Sequence, residues 1–281
     1  MKFSVSGLLL LLSSFQVYAL PDSTPVPGGI YVAPLDNVDS QTQVLYRDRR
    51  VAIDQENGQA YAVIGIPLST KPGKSVFEIR RTNQAPEKKR FVVKKKTYKA
   101  QYLTIKNKRK VNPSKQDLNR IYAESRRKKK AKSTWSDTPV HMQFIVPVEG
   151  RISSIFGLRR FFNNQPRRPH SGLDIAAPEG TPVKAIESGR VIDTGNFFFS
   201  GNMIYIDHGQ GIISLYAHLH RIDVKPGDEI KKGQIIGLVG MTGRVTGPHL
   251  HLGLFANQTL VDPLLVLPPL QDELAHSEAK H

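Results

Sequence analysis

The stretches Arg168-Pro-His-Ser-Gly-Leu-Asp-Ile-Ala-Ala-Pro178 and Thr246-Gly-Pro-His-Leu-His251 contain the most informative pattern in the chain. Proline and glycine around His170 and Asp174 disfavour a helix and predict an extended or turning segment. A strand points every second side chain to one face, so we expect two imidazoles to project side by side from His-Leu-His. Imidazole and carboxylate groups suit zinc, and three protein ligands with one open position are typical of catalytic zinc. The pattern H-x-x-x-D…H-x-H therefore predicts a zinc hydrolase.

The pattern alone leaves an alternative open. The chain has nine His residues, so a His-x-His triplet can arise by chance. A single His on a strand is usually a hydrogen-bonded structural residue. The sequence around the pattern has to decide between the two interpretations.

That surrounding sequence resembles the lysostaphin-like, or LytM-type, family of peptidoglycan metallopeptidases. The similarity extends over about residues 148–263, and its blocks occur in the family order. The matching blocks are Ser154-Ile-Phe-Gly-Leu-Arg, His170-Ser-Gly-Leu-Asp-Ile-Ala-Ala-Pro-Glu-Gly-Thr-Pro-Val, Ile206-Asp-His-Gly with Leu215-Tyr-Ala-His-Leu, and Thr246-Gly-Pro-His-Leu-His. The resemblance implies that His170, Asp174 and His251 hold one Zn²⁺ per chain and that His218 and His249 are the catalytic imidazoles. It does not say which imidazole is the general base.

The segment Leu215-Tyr-Ala-His-Leu-His contains a second candidate imidazole. Strict strand alternation predicts that Tyr216, His218 and His220 share one face. Alternation cannot choose between His218 and His220, and only the resemblance favours His218.

Other polar residues receive more ordinary interpretations. His208 stands at a strand end beside a turn and is interpreted as structural. Asp207, Asp223 and Asp262 are interpreted as turn or strand-edge carboxylates without a chemical role. Arg244 could contact a substrate carboxylate, but a surface position at a turn is favoured.

The first residues predict export. A positive start, a short apolar run and Val17-Tyr-Ala19 are typical of a secretory signal peptide cleaved after residue 19. The apolar run is shorter than the roughly 20 residues that span a bilayer, although an uncleaved anchor remains the alternative. We therefore expect secretion across the inner membrane to a periplasmic or cell-wall location.

The remaining chain is predicted to be an all-β protein with one helical connector. Short β-rich runs separated by Gly, Pro, Asn and Asp predict a small sandwich-like domain, similar to one found ahead of the peptidase in some relatives. A Ser N-cap followed by apolar positions predicts a helix ending near Trp135. The expected divisions are an N-terminal β-domain at 20–110, a basic helical connector at 111–137, an antiparallel peptidase domain at 138–270 and a polar tail at 271–281.

Charge is concentrated in the middle of the chain. The whole sequence carries a net charge of +16, but residues 71–132 alone contain 23 Lys and Arg against 4 Asp and Glu. Such a run forms either a solvated face or a surface that attracts an anionic cell-envelope polymer or membrane. No nucleic-acid motif accompanies it, so specific nucleic-acid binding is not expected.

The favoured function is a peptidoglycan endopeptidase, with the D-Ala to diaminopimelate cross-link preferred by analogy with Gram-negative wall enzymes. Glycyl-glycine bridges or carboxypeptidase trimming would suit the same zinc site, because groove loops set specificity. A non-catalytic wall-binding or amidase-activating module is the alternative.

A further hypothesis is that residues 20–137 restrain the peptidase, with a group such as Asn163 or Asn164 occupying the open zinc position. The alternative is that these residues only anchor the protein to the wall.

Overall fold

The N-terminal part of the chain forms one antiparallel sheet of six strands. The structure, a computed structural model, describes residues 20–269, so the predicted signal peptide and polar tail lie outside the described residues. The strand order is β1-β4-β3-β2-β5-β6. The strands are β1 (Ile30–Leu35), β2 (Gln43–Tyr46), β3 (Arg49–Glu56), β4 (Gln59–Gly65), β5 (Gly73–Arg80) and β6 (Glu87–Val93).

This sheet curls so that its two edge strands meet. Tyr31 on β1 stacks on Phe91 on β6 with ring centroids 4.3 Å apart, although the strands stand at opposite ends of the order. Alternating side chains such as Tyr46 and Ile79 fill the enclosed core. The predicted sandwich-like domain is therefore a single sheet that curls over itself. It encloses a core as two stacked sheets would.

The connector joins this sheet to the C-terminal region. A short strand leads through a 3₁₀ turn into one helix, which begins at a capping box formed by Ser114 and Asp117. The helix is shorter than the predicted connector and ends before Trp135. The elements are β7 (Ala100–Leu103), the 3₁₀ turn (Lys108–Lys110) and α1 (Lys115–Lys132).

The C-terminal region is built on an eight-stranded antiparallel sheet. Seven of its strands follow the order β17-β13-β14-β15-β19-β11-β8, and β20 pairs with β19 as the eighth. Two three-stranded sheets flank it, β10-β9-β7 and β12-β18-β16. The elements are β8 (Arg151–Ser154), β9 (Arg159–Phe162), β10 (Gln165–Pro166), β11 (Leu173–Ala176), β12 (Pro182–Lys184), β13 (Gly189–Phe197), β14 (Gly201–Asp207), β15 (Ile213–Leu219), β16 (Arg221–Ile222), β17 (Glu229–Ile230), β18 (Ile235–Leu238), β19 (Leu250–Ala256), β20 (Thr259–Val261) and a 3₁₀ turn (Pro263–Leu265).

The two halves share a hydrophobic core. Ile30, Ala52 and Val63 from the N-terminal sheet belong to the same buried cluster as Leu252 and many other side chains of the C-terminal region. Burial on this scale removes apolar surface of both halves from water and so stabilises their contact. No helix among the described residues is long and apolar enough to cross a membrane.

Candidate metal centre

Three side chains meet on one face of the large sheet. Asp174 on β11 is in register with His251 on β19, and residues directly opposite each other on antiparallel strands share a face. His170 lies just before β11. Asp174 Oδ1 is 2.7 Å from His251 Nδ1 and 3.0 Å from His170 Nε2, and the two ring nitrogens are 3.1 Å apart. The predicted ligand set is therefore brought together around one point.

Backbone contacts fix the orientation of this cluster. His170 Nδ1 lies 2.7 Å from the carbonyl oxygen of Ile155, and since a carbonyl can only accept, Nδ1 carries the proton and Nε2 is left free. Gly172 passes so close to the His251 ring that an added Cβ would lie 2.9 Å from it. The histidine ring atoms that face the centre are thus set by the fold.

Burial and charge keep the cluster in a ligating form. His170, Asp174 and His251 are 1%, 6% and 8% exposed. Burial acts to raise the pKa of Asp174, but the contacts of its carboxylate with His170 and His251 outweigh it and hold that pKa well below its usual range. Burial lowers the pKa of His251 despite its hydrogen bond to Asp174. The carboxylate is therefore ionised and the imidazole favours its neutral, metal-binding form.

These three groups fit zinc. Tetrahedral bonds of about 2.0–2.1 Å place ligand atoms about 3.3 Å apart, a few tenths of an ångström more than the donor separations in this cluster. Two imidazoles and one carboxylate also match the nitrogen and oxygen ligands that zinc prefers. The donor set therefore needs only a small expansion to hold the ion.

Two further imidazoles stand beside the donors. His249 Nε2 lies 3.9 Å from Asp174 Oδ1, and the His218 ring centroid is 4.9 Å from that of His249. His218 Nδ1 donates to the carbonyl of Thr242 at 2.8 Å, and His249 Nδ1 donates to the carbonyl of Gly247 at 2.9 Å. Both rings thus carry their proton on Nδ1, which leaves Nε2 free to accept one.

The strand face predicted for His218 is wrong. Tyr216 and Leu219 both belong to the main core on the opposite face, which strict alternation forbids. Ala217 and His218 together oppose a single residue of β14, and His218 has a φ of 66°. This β-bulge inserts one residue and turns His218 to the face that carries His251.

The other predicted residues lie apart from the donors. His220 pairs with Glu179 at 2.8 Å in an exposed position. His208 is buried and hydrogen-bonded to Ser188 and Ser214, as expected for a structural residue. Arg244 is partly exposed, but it is not a free surface residue, because its guanidinium lies 4.5 Å and 4.4 Å from the rings of Phe162 and Phe199. Burial, with Arg160 and Arg167 nearby, lowers the pKa of Arg244 to about 10.

The connector helix lies on the sheet face that carries the donors. Ala131 of α1 packs with Leu215, Ala217 and Phe255, and Ala217 is in register with His251. Lys132 and His170 line one cavity of about 440 Å³.

The side chain of Asn163, which was predicted to occupy the open metal position, does not lie there. It pairs with the backbone of Ile105 through hydrogen bonds of 2.8 Å and 3.1 Å.

Sequence reasoning missed three polar residues around the donors. Arg160 donates to Asp174 Oδ2 at 2.7 Å, and Gln101 and Ser154 complete a hydrogen-bonded group with it. Arg160 is one of 40 Lys and Arg, and nothing in its spacing sets it apart. Only the pairing of β7 with β9 brings Gln101 to this place.

Comparison with known sequences agrees with the geometry. Residues 168–263 match the profile of "Peptidase family M23", and residues 23–96 match that of "Peptidase family M23 N-terminal domain". The first match contains all five residues named above as ligands or catalytic imidazoles. The second match covers the curled N-terminal sheet and a few residues on either side of it.

Named relatives are similar over the C-terminal half. The peptidoglycan DD-endopeptidase ShyA of Vibrio cholerae is 40% identical over 137 residues, which cover 48% of this chain and 32% of that protein. The DD-carboxypeptidase/endopeptidase Mpg of Neisseria meningitidis is 43% identical over 119 residues, which cover 42% and 27%. This chain therefore spans less than a third of the length of either relative.

A solved structure is similar over nearly the whole chain. It is the crystal structure of a Pseudomonas aeruginosa protein assigned to peptidase M23, with 38% identity and a TM-score of 0.72. The alignment covers 86% of this chain and 94% of that one. Together with the two matched domains, this likeness means that the chain belongs to peptidase family M23, a family of metallopeptidases.

Proposed function

We propose that this chain is a zinc metalloendopeptidase that hydrolyses peptide cross-links of peptidoglycan. The observation that supports it best is the pair of backbone-anchored imidazoles, His218 and His249, beside the three zinc donors. A purely structural zinc site has four protein ligands and needs no free imidazole next to it. The printed names of the relatives, DD-endopeptidase and DD-carboxypeptidase/endopeptidase, favour peptidoglycan as the substrate.

The chemistry can be divided among the residues of this site. His170, Asp174 and His251 would hold the zinc, which would polarise the scissile carbonyl and activate water. One of His218 and His249 accepts a proton at its free Nε2 and passes it to the leaving amine, a role worth about 10²–10⁴-fold in rate. The other, when protonated at Nε2, donates a hydrogen bond to the oxygen that becomes negative in the transition state.

The products of digestion test the proposed substrate. We expect the purified protein to convert cross-linked muropeptides of isolated sacculi into monomers by cutting the D-Ala to diaminopimelate bond, as measured by mass spectrometry. A chelator should abolish this activity and added zinc should restore it, because the three donors fit that ion. Release of only terminal D-Ala would instead indicate carboxypeptidase trimming, and intact sacculi would favour the non-catalytic wall-binding module.

We also propose that α1 restrains access to the site. The donors are almost fully buried, and α1 packs on their face of the sheet. Glu124 anchors the helix by accepting the backbone N–H of Phe198 at 2.8 Å and 3.0 Å, and Arg120 also donates to it. A peptide that approaches over this face has to displace the helix, so restraint is favoured over simple anchoring.

Removing the Glu124 anchor tests this restraint in the full-length protein. Hydrogen bonds to a charged group contribute about 1.5–3 kcal/mol, so Glu124→Ala should raise the population with α1 displaced by about tenfold or more. We expect faster turnover of a soluble cross-linked muropeptide in a steady-state assay. The matched control is Ser125→Ala, whose exposed hydroxyl donates to the carbonyl of Ile121 in its own helix. Equal turnover in both variants and wild type would leave anchoring as the role of the N-terminal half.

We also propose that the chain is exported and that its basic segment contacts the cell envelope. Residues 1–19 would direct export to the cell envelope, where peptidoglycan is found. Several cations of the 71–132 segment are paired inside the molecule, such as Arg109 with Asp117 and Arg127 with Asp193. The outward-facing Lys88 and Arg90 of β6 are exposed and would be the better contacts for an anionic envelope surface.

A further inference from the structure

Strand β7 brings a residue of the N-terminal half next to the metal donors. It pairs in parallel with β9, with Gln101 opposite Arg160. Gln101 Oε1 accepts from Arg160 Nε at 3.1 Å and from Ser154 Oγ at 3.2 Å. The neighbouring Tyr102 turns away and stacks on Phe161 at 4.7 Å. Gln101 is therefore the side chain of β7 that faces the site.

Arg160 carries this contact to the donor set. Its guanidinium donates to Asp174 Oδ2 at 2.7 Å and to Ser154 Oγ at 3.1 Å. Asp174 directs its other oxygen, Oδ1, to the two histidine donors. Oδ1 of Asp174 thus faces the metal position, and Oδ2 accepts a hydrogen bond from Arg160. Gln101 in turn binds Arg160.

We propose that Gln101 is a positioning residue for the metal centre, acting through Arg160 on the orientation of Asp174. The inference rests on the proposed zinc site. A planar guanidinium binds a carboxylate in a fixed direction, but only if its own rotation is limited. Gln101 limits it at Nε, and Ser154 supports the same guanidinium from the side. Partners of this kind commonly contribute about 10–100-fold to metal affinity.

The assignment changes the role of the N-terminal half. Gln101 precedes α1. The chain ahead of the peptidase would therefore do two things: Gln101 helps to position the metal donors, and α1 covers the site. Loss of that part would weaken zinc binding, an effect opposite to the faster turnover expected when α1 alone is released. The two contributions can therefore be separated by measuring affinity and turnover independently.

Zinc affinity of full-length variants, measured by competition with a chromophoric chelator, tests the proposal. Gln101→Met keeps the size of the side chain but removes its acceptor, and we expect about tenfold weaker binding. Gln101→Glu keeps an acceptor for Arg160 and Ser154 and should restore most of the affinity. Tyr102→Ala, on the same strand, is the control for docking of β7 and should bind zinc as wild type does.

A merely structural role would give a different result. If Gln101 only stabilised β7, Gln101→Met would lower the melting temperature of the metal-free protein and leave zinc affinity unchanged, which would overturn the proposal. The visible spectrum of the Co²⁺-loaded protein gives a second readout, because it responds to the geometry of the donors; we expect it to change in Gln101→Met and not in Tyr102→Ala. A wild-type protein that binds no zinc would instead overturn the metal site itself.

Discussion

Replacing Asp174 by Asn should abolish both zinc binding and peptide hydrolysis. The substitution keeps the size of the side chain but removes the charge that lies within 3.0 Å of both histidine donors. Two imidazoles without the carboxylate cannot complete the coordination shell of a catalytic zinc. Elemental analysis after dialysis should give about one zinc per chain for wild type and almost none for the variant.

The control for this prediction is a carboxylate outside the site. Asp223→Asn removes the partner of Arg221, in a pair that lies partly exposed on the surface. We expect it to keep both zinc and activity. Zinc content near wild type in Asp174→Asn would contradict the ligand assignment, and near-UV circular dichroism would check that the variant is folded.

Replacing either neighbouring imidazole should impair catalysis without impairing zinc binding. His218→Ala and His249→Ala should retain zinc but lose about 10²–10⁴-fold in kcat, because proton transfer and oxyanion stabilisation act on the barrier. The matched control is His220→Ala, which removes an exposed imidazole two residues further along the chain. A damaging His220→Ala with a silent His218→Ala would contradict the assignment.

The same two imidazoles set a direction for the pH dependence. Burial lowers the pKa of His249, and burial followed by the charges of His249 and His251 holds that of His218 well below its ordinary value of 6.5. A lowered pKa means that the neutral, proton-accepting form persists into more acidic solution. The acid limb of kcat/KM, which reports whichever imidazole acts as the base, should therefore lie below pH 6.5, and a limb above that value would argue against this assignment.

The sequence predicted the parts of the site that follow local rules. His249 and His251 both turn toward Asp174, with ring nitrogens 3.9 Å and 2.7 Å from its Oδ1, as strand alternation predicts for His-Leu-His. The all-β class and the family resemblance were confirmed, because turn residues and linear motifs can be read directly from the sequence.

Other features depend on contacts that sequence patterns do not encode. The bulge at His218 inserts one residue against β14, and no residue type in Leu215-Tyr-Ala-His-Leu marks it. The same holds for Gln101, which reaches Arg160 only because β7 leaves the N-terminal half and joins β9. Arg244 lies close to the rings of Phe162 and Phe199, so its partial burial could not be inferred from its turn.

The order in which the chain is made has a consequence for this site. Asp174 and His251 are separated by 77 residues, and Gln101 and Arg160 by 59, so these two contacts close long loops, whereas His170 lies only four residues from Asp174. Closing such loops is entropically costly and late in folding. A growing chain that ends before residue 251 lacks a donor altogether. The proposed zinc site is therefore completed only when synthesis of the described region is nearly finished, and we expect chains that end earlier to show no zinc-dependent hydrolysis.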